Sequence, residues 1–130
     1  MSAPLILIVE DDPNSRKLLR DVLGAVGYQT READNGEEGV RLAAETLPAV
    51  ILMDIRLPGI SGIEALKLLR GDARTRAIPV VAVTASVMQV QTALLFDAGF
   101  DDLEQKPVKM AALLEKVRRL LPKNAVAPVP

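Results

Sequence analysis

The sequence predicts a three-layer α/β sandwich, in which a five-stranded parallel sheet carries helices on both faces. Three observations support this fold class. Short aliphatic runs and amphipathic stretches alternate five times along the 130 residues. The main runs are continuously apolar, as expected of strands buried on both faces. The stretches between them begin and end on helix start and stop residues. Parallel strands joined by helical crossovers pack into such a sandwich.

The elements follow in order. Leu5–Val9 is the first buried run. Asp12 then reads as a helix N-cap with Pro13 at the first helical position. Leu18, Leu19, Val22, Leu23 and Val26 recur at helical spacing, and Gly27 closes the helix. Tyr28 to Ala33 is a weaker, more polar strand, placed near a sheet edge. Asn35 and Glu38 form a candidate capping box for a helix through Val40, Leu42, Ala43 and Ala44. Pro48 punctuates, and Ala49 to Met53 is a buried strand ending at Asp54. Leu57 to Gly62 is a loop. Ser61 and Glu64 make a second capping box for a helix bearing Ile63, Leu66, Leu68 and Leu69, which ends near Gly71. Pro79 to Val83 is a buried strand ending at Thr84. Ser86 and Gln89 can cap the next helix, which runs to Ala98 and Gly99. Phe100 to Glu104 is a short fifth strand, broken by Lys106-Pro107. Met110 to Leu121 is the last helix, with Leu113, Leu114, Val117, Leu120 and Leu121 on one side. Residues 1–121 form one domain, and 122–130 is a Pro-rich tail too short to fold alone.

Composition narrows the chemistry. The chain has no His, no Cys and no Trp. Disulfides, thiolate nucleophiles, imidazole metal ligands and His-based catalysis are therefore absent from this chain. Sixteen basic and seventeen acidic residues leave a net charge of -1, which argues against a nucleic-acid binder. No apolar run approaches the ~18 residues of a membrane span. The N-terminus lacks the basic region of a signal peptide, so a cytosolic location is expected.

Ligand sites in open parallel sheets lie at the carboxyl ends of the strands. Glu10, Asp11 and Asp12 follow the first strand here, Asp54 the third, Thr84 the fourth and Lys106 the fifth. Clustered carboxylates repel unless a cation sits among them. Oxygen-only ligands favour a hard cation such as Mg²⁺, Mn²⁺ or Ca²⁺. A carboxylate can itself serve as a nucleophile toward phosphorus, with a metal, a lysine and a hydroxyl stabilising the transferring oxygens. A lone Asp at a strand end is most often a cap, and Asp12 reads that way.

Five motifs in order make the sequence resemble the receiver domain of two-component response regulators. They are Ile8-Val-Glu-Asp-Asp-Pro13, Met53-Asp-Ile-Arg-Leu-Pro-Gly-Ile-Ser-Gly62, Val83-Thr-Ala-Ser86, Ala98-Gly-Phe-Asp101 and Lys106-Pro107. The resemblance covers residues 4–121, and single-domain cell-cycle receivers are the most similar type. It implies a flavodoxin-like fold with strand order 2-1-3-4-5. It implies Asp54 as phospho-acceptor, with Glu10, Asp11, Asp54 and the backbone carbonyl of Arg56 around Mg²⁺. Thr84 and Lys106 would contact the phosphoryl group, and Lys106-Pro107 would be a cis peptide. The donor would be a phosphohistidine on a histidine kinase or a histidine phosphotransfer protein. The output would be contact with a downstream protein target, and the chain would assist its own phosphorylation and dephosphorylation without turning over an external substrate.

The sequence departs from the family in two places. Leu103 stands where an aromatic switch residue is usual, and Val90-Gln91 where Gly-Asp is common. Val87, Val90 and Leu94 fall on one face of the fourth helix. They are either scattered surface residues or, beside Leu103, a docking surface for a partner or a second copy of the chain. Two other readings of the function stand beside the phospho-acceptor: an interaction module independent of phosphorylation, and a Mg²⁺-dependent phosphohydrolase working through an aspartyl phosphate. The hydrolase pattern places its nucleophile in an Asp-x-Asp after the first strand, which Glu10-Asp11-Asp12 does not match.

Overall fold

The computed structural model describes residues 3–85 and 89–122, with side chains omitted at 89–91. Five strands and five helices alternate: β1 (Leu5–Val9), α1 (Pro13–Ala25), β2 (Gln29–Ala33), α2 (Gly36–Thr46), β3 (Val50–Asp54), α3 (Gly62–Arg70), β4 (Val80–Thr84), α4 (Gln89–Ala98), β5 (Asp102–Gln105) and α5 (Met110–Leu120). The strands form one sheet in the order β2-β1-β3-β4-β5, and every pair is parallel. The predicted fold class and strand order are those observed.

The period of two along each strand divides the core. Odd-numbered Leu7, Val9, Ile51 and Met53 pack with Val80 and Ala82 against Leu42, Leu66, Leu69 and Leu95, which come from α2, α3 and α4. Ile6, Ile8, Val50, Leu52, Val81 and Val83 face Leu19, Leu23, Leu113 and Val117 of α1 and α5. All residues of β3 and β4 are buried, which is why those segments read as unbroken apolar runs. β2 lies at an edge and alternates exposed with partly buried residues, which explains its weaker apolar signal.

Local signals set the element ends. Asp12 caps α1 by accepting from the Ser15 N–H at 2.9 Å, with Pro13 in the first turn. Ser61 and Glu64 form the reciprocal capping box on α3. Only half of the box expected at α2 is formed. Asn35 accepts from the Glu38 N–H at 2.8 Å, but the Glu38 carboxylate is held by Arg41 instead. The fifth strand begins at Asp102 rather than at Phe100. Gly99 turns with φ 114°, and the Phe100 N–H still bonds back to the Leu95 carbonyl of α4. Leu18 and Leu68 have the right helical spacing but lie off the buried stripes, 46% and 53% exposed. Ser86, Val87 and Met88 fall outside the described residues.

Candidate functional site

The sheet register assembles the site. Val9 pairs with Met53 and Met53 with Ala82, so the next row places Glu10 beside Asp54, and Asp54 pairs with Val83. One row further, Thr84 pairs with Gln105, and Lys106 follows directly. β1 and β3 are the neighbours at which the strand order reverses, the place where an open sheet leaves a crevice for a ligand. Four strand ends thus deliver their polar residues to one edge.

Burial separates the roles of the carboxylates. Glu10 is 2% exposed and Asp54 is 7% exposed, whereas Asp11 faces solvent. One oxygen from each of Glu10, Asp11 and Asp54 lies within 4.8 Å of the other two. Lys106 reaches into this group: its Nζ donates to Glu10 Oε1 and lies 3.5 Å from Asp54 Oδ2. Burial acts to lower the Lys106 pKa, but the Glu10 hydrogen bond and the Asp54 and Glu10 charges outweigh it and raise the pKa above the ordinary lysine value. The ammonium therefore stays charged at neutral pH and offsets part of the carboxylate repulsion.

Backbone contacts frame the same atoms. The Arg56 N–H donates to Asp54 Oδ1 at 3.3 Å, and the Asp12 N–H donates to Glu10 Oε2 at 3.1 Å. Thr84 is buried, and its carbonyl accepts from the Lys106 N–H at 2.8 Å, which ties the end of β4 to the end of β5. The Lys106-Pro107 peptide is cis, as expected. Three convergent carboxylates with no nitrogen or sulfur ligand suit a hard divalent cation such as Mg²⁺.

Comparison with known proteins accords with this geometry. The sequence model of the response regulator receiver domain matches residues 6–118. The chain belongs to the response regulator receiver family. It is 40% identical over 116 residues to the polar-differentiation response regulator DivK of Brucella anthropi, covering 89% of this chain and 94% of that one. The receiver domain of a Pseudomonas aeruginosa sensor histidine kinase, described with a magnesium ion coordinated in its active-site cleft, superposes with a TM-score of 0.85 at 32% identity, covering 92% of this chain and 98% of that one. The receiver domain of a Syntrophus aciditrophicus signal transduction histidine kinase gives 0.86 at 34% identity and covers 98% of each chain.

Two features of this receiver site escape the sequence. Arg16 on α1 donates to the Glu10 and Asp11 carbonyls at 3.1 and 3.2 Å. An arginine on the outer side of a helix reads as surface charge, so only the fold reveals those bonds. Gly62 lies against the Asp54 backbone, where a Cβ would come within 2.2 Å of the Asp54 carbonyl oxygen. The expected interaction residues divide. Leu103 packs partly buried against the α2–α4 side of the core, and Leu94 is 58% exposed. Val87 and the side chain of Val90 lie outside the described residues, so of the three residues expected on that face only the exposure of Leu94 is described.

Proposed function

We propose that Asp54 of this phospho-accepting receiver domain takes its phosphoryl group from a phosphohistidine on a partner protein. The observation that carries the assignment is the convergence of the Glu10, Asp11 and Asp54 carboxylates, with Lys106 bonded across two of them. In the transfer, an Asp54 carboxylate oxygen bonds to phosphorus and the phosphorus–nitrogen bond breaks. The electron pair returns to the partner's imidazole. Glu10, Asp11, Asp54 and the Arg56 carbonyl would hold Mg²⁺, which supplies positive charge to the incoming phosphoryl oxygens. The similar receiver from P. aeruginosa is described with a magnesium ion in its active-site cleft, which supports reading this acidic cluster as a magnesium site.

On this reading Lys106 would move from its Glu10 and Asp54 contacts onto a phosphoryl oxygen. Thr84, at the end of β4, would donate its hydroxyl to another. A phosphoryl group carries about -1.5 to -2 charge where a carboxylate carried -1. These two residues therefore feel the change first, and β4, β5 and α5 follow from them. The module acts as a switch rather than by turning over an external substrate. Its donor is a histidine kinase or a phosphotransfer protein, and its output is a protein target. The same reading puts its work in the cytoplasm beside a kinase. Among the described residues no helix is long and apolar enough to cross a membrane. Residues 1–121 constitute the receiver domain.

The test is transfer of labelled phosphate from a phosphorylated histidine kinase in the presence of Mg²⁺. Wild type should take up label and Asp54→Ala should take up none. Equal labelling of the two would overturn the assignment.

A further inference from the structure

The β1–α1 loop carries two of the three clustered carboxylates, and one of them, Asp11, faces solvent. Something must fix that loop if the carboxylates are to point at Asp54 together. Lys106 reaches the Glu10 carboxylate, whereas Arg16 reaches the backbone of the loop. Its Nη1 donates to the carbonyl oxygens of both Glu10 and Asp11, at 3.1 and 3.2 Å. Its Nε lies 3.4 Å from Glu32 Oε1 on β2, and the side chain is 22% exposed. Glu32 is itself steadied by Arg20, whose Nη1 lies 3.1 Å from Oε2. Holding a carbonyl fixes its peptide plane and, with it, the direction in which the neighbouring side chain leaves the backbone. A guanidinium offers five donors in a rigid fork, so one group can serve two carbonyls and a carboxylate at once.

We propose that Arg16 is a positioning residue for the cation and phosphoryl site, pinning the β1–α1 loop so that the Glu10 and Asp11 carboxylates face Asp54. The proposal rests on the reading of those three residues as a divalent-cation site. It makes a prediction of sign. As a charge alone, Arg16 repels a dication, so removing it would tighten Mg²⁺ binding. As a positioning group, its removal loosens the ligand set and weakens binding.

Isothermal titration of the full chain with Mg²⁺ separates the two. Arg16→Gln should weaken binding by about tenfold, the range seen when groups that orient metal ligands are lost. Arg20→Gln breaks a contact to the same Glu32 without touching the loop carbonyls, and should bind like wild type. Unchanged or tighter binding in Arg16→Gln overturns the proposal, and so does equal weakening in Arg20→Gln. Arg16→Lys keeps the charge without the fork. It should also bind more weakly, and it serves if Arg16→Gln does not fold; Arg16→Lys at wild-type affinity overturns the proposal. Wild type that binds no Mg²⁺ overturns the cation site and the proposal with it. Wild type that binds while Arg16→Gln matches it overturns the role of Arg16 alone. Amide exchange in the metal-free chain supplies an independent reading. The Asp11 and Asp12 amides should exchange faster in Arg16→Gln than in wild type or Arg20→Gln, and equal rates count against the proposal.

Discussion

Gly62 shows how tightly the backbone closes around the proposed acceptor. Its N–H donates to the Ile55 carbonyl at 2.9 Å. A Cβ there would sit 2.2 Å from the Asp54 carbonyl oxygen and 2.9 Å from the Ile55 Cα. Both neighbours are backbone and neither can swing aside. Gly62→Ala should therefore destabilise the fold by roughly 1–3 kcal/mol in urea unfolding, the range for overpacking, and impair labelling of Asp54. Gly24, on the exposed side of α1, has nothing within 4 Å of its would-be Cβ. Gly24→Ala should raise stability by about 0.5–1 kcal/mol in the same assay, because alanine loses less backbone freedom in a helix. The sequence writes both positions with the same letter. Asp54, Thr84 and Lys106 were readable because each stands at the carboxyl end of a strand, Asp54 and Thr84 as the last residue and Lys106 as the next one. Gly62 and Arg16 were not, because their partners are backbone carbonyls brought near by folding.

At the scale of elements, β5 and α5 are joined by a buried charge. Leu103 and Glu104 leave opposite faces of β5: Leu103 packs toward α2–α4, and Glu104 meets α5. Glu104 is 4% exposed. Its Oε1 accepts from Lys116 Nζ at 2.8 Å, and its Oε2 accepts from the Lys109 N–H at 3.2 Å. The second bond satisfies a donor at the start of α5, where Lys109 provides no side-chain cap of its own. Lys116 also donates to the Leu103 carbonyl. Removing only the cation strands a buried carboxylate. Lys116→Met should therefore destabilise the domain by about 3 kcal/mol, while Glu104→Leu with Lys116→Met should recover most of that loss. A double-mutant cycle by chemical denaturation measures it, and additive single effects would contradict the coupling. The sequence showed β5 as short. It did not show Glu104 inside, since an acid in a strand normally faces water.

For the whole molecule, the site is a property of topology. Glu10 and Asp54 are 44 residues apart in the chain. They become neighbours because β1 and β3 are adjacent while β2 lies outside β1. A fold that gathers acids at a sheet edge should gain stability from a bound cation. Mg²⁺ at about 100 times its dissociation constant should add about 2.7 kcal/mol to the unfolding free energy, by mass action on the folded state alone. Asp54→Ala should remove most of this Mg²⁺ dependence, whatever it does to stability without metal. Urea titrations with and without Mg²⁺ check this, and an equal gain in Asp54→Ala would remove Asp54 from the ligand set. The sequence by itself determined the fold class, the order of the elements and most of the strand-end residues, because hydrophobic period, helix caps and strand ends are local and written in consecutive residues. The tertiary structure alone decided that the carboxylates converge, that Lys106 bridges Glu10 and Asp54, that Arg16 holds the loop and that Glu104 is buried. Those facts depend on which distant backbone and side-chain groups share a row of the sheet or the face of a packed helix, and on the loss of water between them.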